Sequence, residues 1–115
     1  MFTGLGKGTN MFNEATIATE AFDAARKATQ EHLTKHGDRD ACGFAWVTVK
    51  PANSKFARYL KAKDLASKAS GGGLCVWNPS GSSTQAITAK EVGAAAFADV
   101  LTKYGIKAYF ESRMD

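Results

Sequence analysis

The chain is poor in the residues that carry most recognisable chemistry, with two cysteines, two histidines and two prolines among 115 residues. Two cysteines make no disulfide framework. Cys42 and Cys75 both fall inside segments that read as strands, where a free cysteine behaves as a small buried apolar residue. His32 and His36 stand at i and i+4 on a predicted helix, a spacing that can chelate a metal. No zincin motif or third ligand accompanies them, so they read as a solvated helix end with His36 near the C-terminal dipole, and no metal is expected. With both histidines on that helix, nothing ties a base to a serine or cysteine nucleophile. Asp38, Asp40, Glu111 and Asp115 read as loop, edge or terminal carboxylates. The sequence therefore names no reaction and no cofactor.

Long apolar runs are missing too. Nothing approaches the ~20 apolar residues of a membrane span, and no basic-then-apolar leader resembles a signal peptide. A cytoplasmic protein without a membrane partner is expected. The net charge of +4 is mild, and its cations are scattered through Lys50, Lys55, Arg58, Lys61, Lys63 and Lys68, which tolerates an anionic partner without demanding one. Gly4-Leu5-Gly6-Lys7-Gly8 lacks the spacing of a phosphate-binding loop and follows no strand. Residues 1–12 accordingly read as a flexible leader and 13–115 as one domain.

What is present is clearest over 71–105. Leu74, Cys75, Val76 and Trp77 form a short apolar run of strand formers that ends at the turn residues Asn78-Pro79-Ser80-Gly81. A return strand is expected over 83–87. Thr88 lies three residues before Glu91, the capping-box spacing, and Ile87 and Val92 occupy the positions of a hydrophobic staple, so a helix is expected to start there. Gly93, Phe97, Val100, Leu101 and Tyr104 recur on one face of that helix. Gly105 stops it, with Ile106 placed for a Schellman cap.

Upstream, 13–36 is helical in composition, with a modest stripe from Ala18, Ala21, Phe22 and Ala25 to Ala28 and Leu33, and Gly37 supplies the stop. Residues 42–49 are apolar on both sides, Ala45, Val47 and Val49 on one and Phe44 and Trp46 on the other, which suits the middle of a sheet. Pro51 ends that strand. Asn53 or Ser54 can cap a second helix, which carries Phe56, Tyr59 and Leu60 and frays between 62 and 70. Residues 106–112 alternate as a half-buried strand. The order from 42 onward is strand, helix, strand, strand, helix, strand. It predicts an α+β fold, the ferredoxin-like split βαβ (βαββαβ) with an antiparallel four-stranded sheet and an added N-terminal helix. Both crossover helices should cover one sheet face, leaving the other to water, to the N-terminal helix or to another subunit.

On that second face the alternation places Phe44, Trp46, Thr48, Lys107, Tyr109, Glu111 and Arg113, joined by Trp77 or Cys75. Aromatics interleaved with cations suit stacking a base while holding its phosphate, and they suit a subunit interface equally. The aromatic-rich motif of RNA-recognition modules is absent from 83–87, so nucleic acid is not the expected partner. A second candidate anion site is the start of the second helix, where Ser54, Lys55 and Arg58 could converge. The expected ligand-binding set is Lys55, Arg58 and Arg113 for anionic groups and Trp46, Trp77 and Tyr109 for stacking, at a boundary between subunits of a homo-oligomer.

The segments Cys42-Gly-Phe-Ala-Trp-Val47, Ser54-Lys-Phe-Ala-Arg58, Trp77-Asn-Pro-Ser-Gly81, Lys90-Glu-Val-Gly-Ala94 and Ser112-Arg-Met-Asp115 resemble those of small proteins of tailed bacteriophages and viral metagenomes. That resemblance, over roughly 13–115, implies action in the host cytoplasm against host defences or metabolism. Its first implied form is a non-enzymatic sponge for a nucleotide-derived signal. A small oligomeric enzyme of the S-adenosylmethionine lyase type and an inhibitor that binds a host protein are the alternatives.

Overall fold

The computed structural model describes residues 13–69 and 71–115, and the expected leader lies outside them. Helix α1 (Glu14–His36) opens on Asn13, whose side chain accepts from the Thr16 N–H at 2.8 Å, and closes where Gly37 donates to the Leu33 carbonyl at 2.8 Å. Strand β1 (Gly43–Lys50) follows, then helix α2 (Lys55–Ala62), capped by the Ser54 hydroxyl accepting from Ala57 N–H. Next come β2 (Ser67–Lys68), β3 (Leu74–Trp77), helix α3 (Ile87–Lys103) and β4 (Lys107–Met114). The sheet runs β2-β3-β1-β4, and every neighbouring pair is antiparallel. This is the βαββαβ arrangement with an added N-terminal helix. No helix of the described residues is long and apolar enough to cross a membrane.

One face of β1 is fully buried through Ala45, Val47 and Val49, and β3 adds Leu74 and Val76. Against them pack Phe56, Ala57 and Leu60 of α2 and Ala94, Phe97 and Leu101 of α3, so both crossover helices lie on this side. Helix α3 ends in a Schellman cap: Ile106 N–H donates to Leu101 O and Gly105 N–H to Thr102 O, each at 2.9 Å, with Gly105 at φ 81°. Helix α1 does not cover the other sheet face. It packs on α3 and α2, with Phe22 edge-on to Phe97 at 4.8 Å and the small residues Ala21, Ala25 and Thr29 buried. Gly93 makes this approach possible, and the Thr29 hydroxyl donates across it to the Ala89 carbonyl at 2.7 Å.

Three local expectations fail, each for a physical reason. The strand expected over 83–87 does not form, and β3 turns back instead on Ser67 and Lys68, which pair with Cys75 and Leu74. Hydroxyls intercept the amides a strand would need: Ser82 N–H donates to Ser80 Oγ, Thr84 N–H to Ser82 Oγ and Ala86 N–H to Thr84 Oγ1. What remains is one isolated bridge, Cys42 to Ala86. The capping box also fails. Helix α3 begins at Ile87 after Ala86, which makes no side-chain cap, and Glu91 instead accepts from the Ser112 hydroxyl. The cap comes from Asp40, whose carboxylate accepts from Thr88 N–H at 2.8 Å. Finally, Cys42 lies at the exposed entry to β1 and Cys75 is half-buried, so neither is the core thiol expected from its apolar surroundings.

Candidate functional site

The uncovered sheet face is built row by row from the ladder. Trp46 sits between Glu111 and Trp77, Thr48 between Tyr109 and Cys75, and Phe44 beside Arg113. Because side chains alternate along a strand, burial of Val47, Val49, Leu74 and Val76 forces these partners to the opposite side. Both Cys75 and Trp77 therefore share the face. Trp46 and Trp77 stack with centroids 5.5 Å apart and planes 10° apart, and Phe44 extends the row to Trp77 at 5.5 Å. Trp77 is still 53% exposed and Tyr109 40%. Cations edge the aromatics: Lys50 Nζ stands 5.7 Å from the Tyr109 ring, and Arg113 stands 5.8 Å from Phe44.

A basin of about 500 Å³ opens on this face. Trp46, Thr48, Cys75, Tyr109 and Glu111 make its floor, and Ser67, Lys68, Ala69, Gly71 and Gly72 of the β2–β3 hairpin make its wall. Thr48 Oγ1 donates to Glu111 Oε2 at 3.1 Å, which fixes the carboxylate against the floor. Burial, and then the Glu111 charge, push the Cys75 thiol above its ordinary range. It is a protonated thiol at neutral pH and a poor nucleophile. A larger but more open depression of about 650 Å³ follows the outer side of α1, lined by Ala15, Thr16, Thr19, Glu20, Asp23, Ala24 and Lys27, with no aromatic among them. The basin on the sheet is the better site, since it joins stacking surfaces and an oriented carboxylate in one concavity, with Lys50 beside the Tyr109 ring.

Of the residues expected to bind ligand, Trp46 and Tyr109 line the basin, Trp77 backs Trp46, and Arg113 shares the face beyond Glu111. Lys55 and Arg58 are not with them. Both stand on α2, across the sheet, where Arg58 is exposed and Lys55 pairs with Glu14 at 3.7 Å. A separate hollow of about 420 Å³ touches Lys55 but not Arg58. The sequence pattern put Thr48 and Glu111, with Trp77 or Cys75, on this face without giving Thr48, Glu111 or Cys75 a binding role, and it put none of Ser67, Lys68 and Ala69 there. The glycine run 71–73 was the signal for those last three, because a turn there requires its other arm just upstream.

His32 and His36 lie side by side, with ring centroids 4.7 Å apart and planes tilted by 43°. Among the described residues no group of three His, Cys, Asp or Glu side chains is placed to hold a metal. Comparison of the chain with protein-family models, curated proteins and solved structures found no match in any of the three.

Proposed function

We propose that this protein binds a small anionic, nucleotide-like ligand on its open sheet face and releases it unchanged, and that it serves a phage by sequestering such a molecule. The observation that carries this reading is the basin in which Trp46, Tyr109 and Glu111 converge, with Lys50 Nζ 5.7 Å from the Tyr109 ring on the same face. Each group has a matching part in a nucleotide. The rings offer a stacking surface, the Glu111 carboxylate accepts from base N–H groups, and Lys50 beside Tyr109 answers a phosphate. The raised Cys75 thiol supports binding over covalent chemistry at this place. The phage setting rests on the sequence segments alone.

The test is native mass spectrometry of protein purified from cells, followed by calorimetric titration with adenosine and guanosine monophosphates, the matching nucleosides and inorganic phosphate. A nucleotide should bind, and Trp46→Ala should weaken it by about 1–3 kcal/mol, the worth of one stacked base. Lys50→Ala should weaken the monophosphates but not the nucleosides. Ligand recovered after long incubation should be intact. Equal affinity in the Trp46→Ala variant, or binding of none of these probes at millimolar concentration, refutes the proposal. Recovery of cleavage products moves the assignment to an enzyme.

A further inference from the structure

The two edges of the sheet are unlike. At one edge β2 is two residues long and leads into a glycine run, so it offers little backbone to a partner. At the other, β4 spans eight residues from Lys107 to Met114, pairs with β1 in unbroken register, and contains no proline or bulge. An exposed edge of that kind is a template for another strand. Its hydrogen-bond phase is defined, because Asp115 N–H donates to Cys42 O and alternate residues of β4 face β1. The amides and carbonyls of Ala108, Phe110, Ser112 and Met114 therefore point outward.

We infer that β4 pairs with β4 of a second copy of this chain, antiparallel and with the two-fold axis at Ser112. For the two open faces to form one continuous surface, residues opposite each other must have the same side-chain direction, which restricts the axis to a residue rather than a gap. An axis at Phe110 sets Lys107 against Arg113, and one at Glu111 sets two carboxylates together. An axis at Tyr109 sets Lys107 against Glu111 but leaves Met114 outside the pairing. With the axis at Ser112, Glu111 faces Arg113 of the partner subunit, twice by symmetry. On the other face Phe110, 41% exposed, meets Met114, 68% exposed, also twice. This register matches the outward backbone groups, both opposite charges and both exposed apolar side chains of the strand. It also brings Arg113 of the partner subunit beside Glu111, at the rim of the basin. The pairing needs no ligand, so its failure leaves the binding proposal standing.

Sedimentation equilibrium of the ligand-free protein reads the oligomeric state directly. The parent should be a dimer at tens of micromolar. Glu111→Arg and Arg113→Glu should each weaken dimerisation by roughly 30-fold or more, since each turns two attractive pairs into two repulsive ones. The double variant Glu111→Arg with Arg113→Glu should restore the dimer, because the exchanged charges face each other again. A monomeric parent overturns the inference. So does a dimer indifferent to either single change, or a double variant that stays monomeric, as an axis at Tyr109 would require.

Discussion

Gly93→Ala tests how α1 is held on the rest of the molecule. At an exposed helix position the change would stabilise by about 1 kcal/mol through helix propensity. At Gly93 the added Cβ would fall well inside contact with Thr29 Oγ1, and 3.1 Å from both the Ala25 carbonyl oxygen and Ser80 Cβ. The Thr29 hydroxyl cannot swing away freely, since it is buried and donates to Ala89 O at 2.7 Å. Overpacking of this kind costs about 1–3 kcal/mol, and loss of the buried hydrogen bond adds about 0.5–1.5 kcal/mol. After the propensity gain, a net loss of about 1–3 kcal/mol is expected. Urea denaturation followed by far-ultraviolet circular dichroism measures it, with an unchanged slope showing that only stability moved. Thr29→Ala removes the nearest obstacle, so Gly93→Ala should cost at least about 1 kcal/mol less in that background. If Gly93→Ala is neutral or stabilising, or costs the same in both backgrounds, the close crossing of α1 and α3 is not what holds them.

The Thr88 hydroxyl and amide, with the Ala41 amide, hold the Asp40 carboxyl below its usual range. Its contribution is therefore complete above the unfolded value of about 3.9 and is lost as pH falls through the lower folded value. The stability gap between parent and Asp40→Asn, read as thermal midpoints, should be constant near neutrality and close at strongly acid pH; an equal gap at both ends would show that the charge caps nothing. Lys90 is buried, donates to Gly43 O at 2.8 Å and stands 5.1 Å from the Phe44 ring. Lys90→Met should cost about 1.5–3 kcal/mol, the worth of a charged hydrogen bond, and an unaltered urea midpoint would place that ammonium in water instead. Burial and the Glu111 charge hold Cys75 protonated, so Cys75 should react with a thiol reagent more slowly than the exposed Cys42 at pH 7, as mass spectrometry of single-cysteine variants would reveal. Faster labelling of Cys75 would contradict the raised thiol.

The elements that the sequence determined are those whose causes lie within a few residues. Asn13, Gly37, Ser54 and Gly105 act on amides and carbonyls at most four positions away, and their roles follow from side-chain chemistry and backbone freedom alone. Alternation in β1 and β4 likewise assigned Trp46, Tyr109, Glu111 and Arg113 to one face before any partner strand was known. The rest depended on which distant surfaces exclude water together. Ser67 and Lys68 have no apolar pattern to announce a strand, and they become one because the glycine turn returns the chain beside β3. Asp40 caps a helix 48 residues further along, in place of the local capping box, because the α1–β1 link closes over the start of α3. The basin exists only once that hairpin wall stands over the sheet, which sets Ser67 beside Cys75 and leaves Lys55 and Arg58 behind the β-layer. Hydrogen bonds between near neighbours are encoded by spacing, whereas the joining of remote segments is selected by burial, and burial is a property of the assembled core.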